Sequence, residues 1–163
     1  MSLLLNGAKT MTIAGTEMQC LEIYTGEAYT FPLTFTDSNG NAVNCNGWTI
    51  NPAAKYYTVD NVIYGVNNNA DAVDLGNITL ATQPSNANYT LTAAFTNANA
   101  GVGYLYLGNN ITGNGNSTPN VALANNAANS TLVIVTLTVT RTSNISGQPD
   151  INREPLGFIV RYQ

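Results

Sequence analysis

Any catalysis in this chain would have to run on carboxylates. The 163 residues include nine Asp and Glu, five Lys and Arg, two Cys and no His. Without histidine there is no Ser-His-Asp triad, no Cys-His dyad and none of the usual mixed zinc sites. Two carboxylates facing each other across a groove are enough for glycoside cleavage. The candidates are Glu22, Glu27, Asp37, Asp60, Asp71, Asp74, Asp150 and Glu154. Glu27 and Asp37 flank turns, and Asp37 opens one in which Asp commonly bonds nearby backbone. Asp71-Ala72-Val73-Asp74 and Asn67-Asn68-Asn69 offer oxygens to a calcium ion. They lack the regular spacing and the terminal bidentate Glu of a calcium loop. Gly101-Val102-Gly103 has no third glycine and no following helix, so it is not a nucleotide fingerprint. The sequence therefore assigns no catalytic residue, no metal site and no cofactor, and the expectation is a protein that is not an enzyme.

Binding chemistry is limited in the same way. Lys9, Lys55, Arg141, Arg153 and Arg161 are widely spread, and the net charge is −4. Nucleic-acid affinity is built mainly by neutralising phosphates, which this chain cannot do. No apolar stretch is long enough to span a bilayer as a helix, so no membrane role is expected. Trp48, Tyr56, Tyr57, Tyr64, Tyr104 and Tyr106 are candidates for stacking on sugars. Aromatics in strands more often fill cores, and Trp48 after Gly47 has the look of a core anchor. Cys20 and Cys45 give no disulfide framework; a single bond between them is left open, beside two buried thiols acting as small hydrophobes.

The elements that position these residues are strands. Tyr29, Phe31, Leu33 and Phe35 alternate with Thr30, Pro32, Thr34 and Thr36, a period of two that buries one face. Pro32 cannot donate to a ladder, which predicts an edge strand or a local irregularity. Asp37-Ser38-Asn39-Gly40-Asn41 follows as a turn, then a strand from about Trp48 to Ile50. The alternation returns at Tyr89, Leu91, Ala93 and Phe95. Val102 to Leu107 is apolar on both faces and so central, Thr131 to Thr140 is β-branched almost throughout, and Leu156 to Tyr162 ends the set. Weaker strands are predicted over 19–24, 56–64 and 77–82. No segment repeats at helical spacing. The predicted fold is all-β: a single antiparallel β-sandwich domain over 18–163, each sheet covered on one side. Residues 1–17 form an N-terminal arm or a first strand. Gly108 to Ser130 is a long Asn/Gly-rich loop, either ordered against a neighbour or free on the surface.

Charged residues make up only 9% of the chain, with Asn, Thr, Ser and Gly in their place. Such a surface has little like-charge repulsion to keep copies apart, and suits a protein covered by neighbours. The apolar ends supply candidate contacts: Leu3, Leu4 and Leu5 at one end, and Phe158, Ile159, Val160 and Tyr162 at the other.

One stretch carries a family likeness. Gly26-Glu27, the aromatic/Thr strand Tyr29 to Phe35, the Asp37 to Gly40 turn and the Gly47-Trp48 corner occur in that order. This resembles the N-terminal domain of phage upper baseplate and tail proteins. The likeness covers about residues 21–50, with Cys45 standing where that pattern usually has Leu. It implies a virion structural subunit of the tail or baseplate that assembles with other virion proteins as a homo-oligomer or symmetric array. A capsid decoration protein and a carbohydrate- or host-surface-binding module are the alternative expectations. Gly26, Phe31, Phe35, Asp37, Gly40, Gly47 and Trp48 then have structural roles in turns and core.

Overall fold

The computed structural model describes residues 2–13, 15–24, 26–59, 72–73, 78–80, 90–109, 130–142 and 149–161. Positions 110–129 of the predicted long loop, the Asp71/Asp74 and Asn67–Asn69 oxygens, Tyr64 and Tyr162 lie outside them.

Short runs of alternating or β-branched residues give strands throughout. In chain order they are β1 (Ser2–Leu5), β2 (Lys9–Ile13), β3 (Thr16–Tyr24), β4 (Tyr29–Thr36), β5 (Thr49–Val59), β6 (Ala72–Val73), β7 (Ile78–Leu80), β8 (Leu91–Asn97), β9 (Val102–Leu107), β10 (Ser130–Thr142) and β11 (Pro149–Arg161). One 3-10 turn, Ala98–Ala100, joins β8 to β9. Two sheets form. The smaller has the order β1-β4-β9-β8, and the larger β6-β2-β3-β11-β10-β5-β7. They pack as a sandwich around a core that includes Leu3, Leu5, Ile23, Leu33, Phe35, Tyr56, Leu105, Val133, Val135, Leu156 and Phe158.

Of the two alternatives for residues 1–17, the structure takes the strand: β1 joins the small sheet, β2 joins the large one, and β3 begins at Thr16. Two expectations need correction. The sandwich is not wholly antiparallel, because β11 runs parallel to β3 from Leu156↔Gln19 to Arg161↔Tyr24, and β2 runs parallel to β6. The large sheet is not covered on one side only. Met11, Ile13, Met18, Cys20, Leu132 and Ile159 form a second buried cluster, on the face opposite the main core. The uninterrupted apolar runs at 132–135 and 158–160 explain this, since a strand buried on both faces has no polar side to show.

The prolines inside strands obey the ladder. Pro32 faces Tyr104 of β9, but β1 pairs only with residues 33–36 of β4. Pro155 faces Thr136 of β10, just short of the β3 ladder. Pro52 faces Leu137, well before β7 joins β5 at Tyr57. Each lies where pairing on one side has run out, so its missing N–H costs no ladder bond. Pro32 thus occupies a locally one-sided position within an inner strand.

Both margins of the small sheet are closed. At β1, the Gln19 side chain of β3 takes the place of a neighbouring strand: its Oε1 accepts from Leu5 N at 2.8 Å and its Nε2 donates to Leu3 O at 2.6 Å. At the other margin β5 runs close beside β8 without pairing to it. Closing an exposed edge is how sandwiches avoid uncontrolled strand addition. Gln19→Leu is expected to keep the apolar stem while orphaning both β1 groups. It should cost about 2 kcal/mol and speed amide exchange at Leu5, read by hydrogen-exchange NMR; unchanged protection there would mean that β1 holds without the amide.

Candidate assembly face

The turn-and-corner motif at 26–48 is built as its residue types demand. Gly26, Gly40 and Gly47 all adopt positive φ, at 78°, 82° and 78°. Asp37 organises its turn by accepting from Asn39 N at 2.8 Å and from Asn41 N at 2.9 Å through Oδ1, and from Asn41 Nδ2 at 3.1 Å through Oδ2. The bonds from Asn41 hold its carboxyl below the ordinary Asp range. Glu27 accepts from the Tyr29 hydroxyl at 2.7 Å, and that hydroxyl accepts from Tyr24 N at 2.9 Å, closing the β3–β4 connection. Phe35 is fully buried. Phe31 is half-buried and stacks between Tyr29 and Phe158, at centroid distances of 5.6 and 5.2 Å. Trp48 lies at the margin of the core, where the Arg141 guanidinium sits 5.5 Å from its ring centroid and pairs with Asp150.

Most of the predicted assembly contacts are spent inside the subunit. Leu3 and Leu5 point between the sheets, and Phe158 and Val160 join them there, while Ile159 belongs to the second cluster. The folded chain does not present these five to a neighbour. Their apolar character reflects the core of the chain itself, because β1 and β11 are integral strands. Leu4 alone of those described is exposed, at 51%.

Charge is partitioned between the sheets. Lys9, Glu17, Glu22, Lys55, Arg141, Asp150, Arg153, Glu154 and Arg161 lie in strands of the large sheet. Glu27 and Asp37 lie in turns. The four strands of the small sheet contain no charged residue at all. Alternation sends Leu3, Leu5, Leu33, Phe35, Leu105 and Leu107 inward, so their neighbours form the outer face. Three rows cross it: Leu4–Thr34–Val102, Pro32–Tyr104–Ala94 and Thr30–Tyr106–Thr92. Thr30, Pro32 and Thr92 are exposed, and Val102, Tyr104 and Tyr106 are half-buried. Rows without charge that carry Tyr104 and Tyr106 on one strand have the composition of an interface centre, where Lys, Glu and Asp are depleted and Tyr enriched.

Gly101 and Gly103, excluded above as a nucleotide fingerprint, have a steric role instead. A Cβ on Gly101 would stand 2.6 Å from Phe35 O and 2.7 Å from Val43 O, and one on Gly103 would stand 2.7 Å from Ala94 O. The Gly-x-Gly pair exists so that β9 can approach its neighbours' backbone. A glycine pair opening a strand was its only sequence signal.

Cys20 and Cys45 are free and buried, and burial pushes the Cys20 thiol up to about 11. Such thiols are inert hydrophobes. Among the described residues no three His, Cys, Asp or Glu side chains are grouped to hold a metal, and no helix is long and apolar enough to cross a membrane. A groove near the β1 margin, about 370 Å³, is lined by Ser2, Leu4, Thr10, Glu17, Gln19 and Glu154 among others. A comparison with protein-family models finds no match, and neither does a search of curated proteins.

Proposed function

We propose that this chain is a non-enzymatic virion structural subunit of a bacteriophage, working by assembly in the tail or baseplate. The partition of charge carries the reading: among the described residues every charged strand residue lies on one sheet, and the outer face of the other carries Thr, Tyr, Val and Pro. A lone soluble domain gains from surface charge on all sides, whereas a subunit covered by neighbours does not. The motif at 26–48, whose turns and core residues fold as one unit, supports the likeness to baseplate and tail domains. A capsid decoration subunit would use the same face.

Glycan binding is the weaker reading. Tyr56 is buried and Trp48 is overlaid by Arg141. Tyr104 and Tyr106 have threonine, proline and alanine beside them in their rows, with no Asn or Asp. The test is the mass distribution of the purified protein, alone and mixed with proteins from disrupted phage particles. A defined complex with a tail or capsid component is expected. A chain that stays apart from every virion protein would sink the proposal.

A further inference from the structure

We propose that Asn6 is a site of spontaneous covalent modification, closing on Gly7 to a succinimide and then opening to aspartate and isoaspartate. The chemistry is that of Asn-Gly pairs. The backbone nitrogen of the glycine gives up its proton and attacks the side-chain carbonyl carbon of the asparagine. A C–N bond closes the ring, the bond to the side-chain nitrogen breaks, and that nitrogen takes up the proton and leaves as ammonia. Water then opens the ring at either carbonyl, and nothing is oxidised or reduced. Glycine permits the attack because it has no Cβ to crowd the nitrogen. The chain has four such pairs, Asn6-Gly7, Asn39-Gly40, Asn46-Gly47 and Asn114-Gly115. The last lies outside the described residues. In the other three the asparagine is exposed and the glycine has positive φ, at 83°, 82° and 78°.

Hydrogen bonds separate these three. In the Asp37–Asn41 turn the attacking nitrogen is engaged, since Gly40 N donates to Asp37 O at 3.1 Å, and the Asp37 carboxylate holds Asn39 N at 2.8 Å. In the Cys45–Trp48 turn the group to be attacked is engaged, since Asn46 Nδ2 donates to Asn99 Oδ1. Cys45 N also donates to Ala98 O at 2.8 Å, which fastens this turn to the one between β8 and β9. The Leu5–Ala8 turn has neither restraint. Its closing bond, from Ala8 N to Leu5 O at 3.1 Å, leaves Gly7 N aside, and Asn6 N reaches Pro32 O only at 3.5 Å. The Asn6 side chain is bonded by no described residue. The products differ in consequence. Aspartate adds a negative charge. Isoaspartate also routes the backbone through the side chain, which puts an extra CH₂ into the turn that carries the chain from the small sheet to the large one.

Ageing the intact folded protein in warm, mildly alkaline buffer tests this, with peptide mapping by mass spectrometry and isoaspartate read by enzymatic methylation. Asn6 should convert first, roughly fivefold faster than Asn39 or Asn46, the factor set by the net strength of one hydrogen bond. In strong urea, where all three turns are lost, the three should convert at similar rates. Asn6 is exposed, so Asn6→Gln leaves the core intact, which circular dichroism checks, and it should remove the main acidic species seen on ion exchange. Asn99→Ala frees the Asn46 amide and should speed conversion at Asn46 while leaving Asn6 unchanged. Asn39 or Asn46 converting as fast as Asn6 in the folded chain overturns the proposal. So does an order that persists in urea, or an Asn46 indifferent to Asn99→Ala, because either takes the selection away from the folded turns.

Discussion

Gly101→Val should abolish stable folding, lowering stability by more than about 4 kcal/mol and leaving a chain without a cooperative urea transition. Gly101 has φ +63° and ends the 3-10 turn, its N–H donating to Ala98 O at 3.1 Å. A β-branched residue is strained there before any contact is considered. The contacts are worse, because the added Cβ would meet the carbonyl oxygens of Phe35 and Val43, both backbone atoms with nowhere to go. Those same residues are tied together: Phe35 N donates to Gly101 O at 2.8 Å, and Val43 N donates to Phe35 O at 3.1 Å. Pushing Gly101 away breaks the junction of β4, the 42–45 segment and the start of β9. If Gly101→Val unfolds within 1 kcal/mol of wild type, as judged by urea midpoint, the close approach has been misjudged.

Phe158→Ala is expected to cost about 3–5 kcal/mol, the range for emptying an aromatic site in a packed core. Phe158 is fully buried: its strand lies between β3 and β10, and its ring meets Phe31 of the opposite sheet at 5.2 Å. Removing the ring takes away a bridge between the layers. The urea midpoint should fall with little change in slope. Leu4→Ala, by contrast, should shift stability by less than about 0.5 kcal/mol. A reversed order would return Phe158 to the role of an intermolecular contact and put Leu4 in the core.

The comparison of these two residues shows what sequence can and cannot convey. Leu3-Leu4-Leu5 is uniformly apolar, so its alternation is silent; only the sheet reveals that Leu4 points away from its neighbours. Phe31, Leu33 and Phe35 were legible because threonine marks the opposite face. β2 escaped because Lys9-Thr10-Met11-Thr12-Ile13 is too short to establish a period. The polar first half of β11, Asp150 to Glu154, was hidden for a different reason: it shows no apolar alternation, and its strand character comes from pairing with Arg141 to Leu137 of β10. The parallel β3–β11 pair could not be read at all, since partners more than a hundred positions apart leave no local mark. The charge-free sheet is the clearest case. Each of its strands reads as uncharged in sequence, yet the fact acquires meaning only once β1, β4, β8 and β9 are known to be neighbours.

The place of β11 also governs when the fold can form. It is the last strand in sequence and the middle of the large sheet, with β2-β3 on one side and β10-β5 on the other. In the backbone ladder the two described halves of that sheet are joined through it. Loop closure must be met before such distant pairings repay it, which makes folding slow relative to chains of local contacts. During synthesis the β11 margins of β3 and β10 stay open until residues 149–161 emerge, so the middle of the large sheet is the part that closes late.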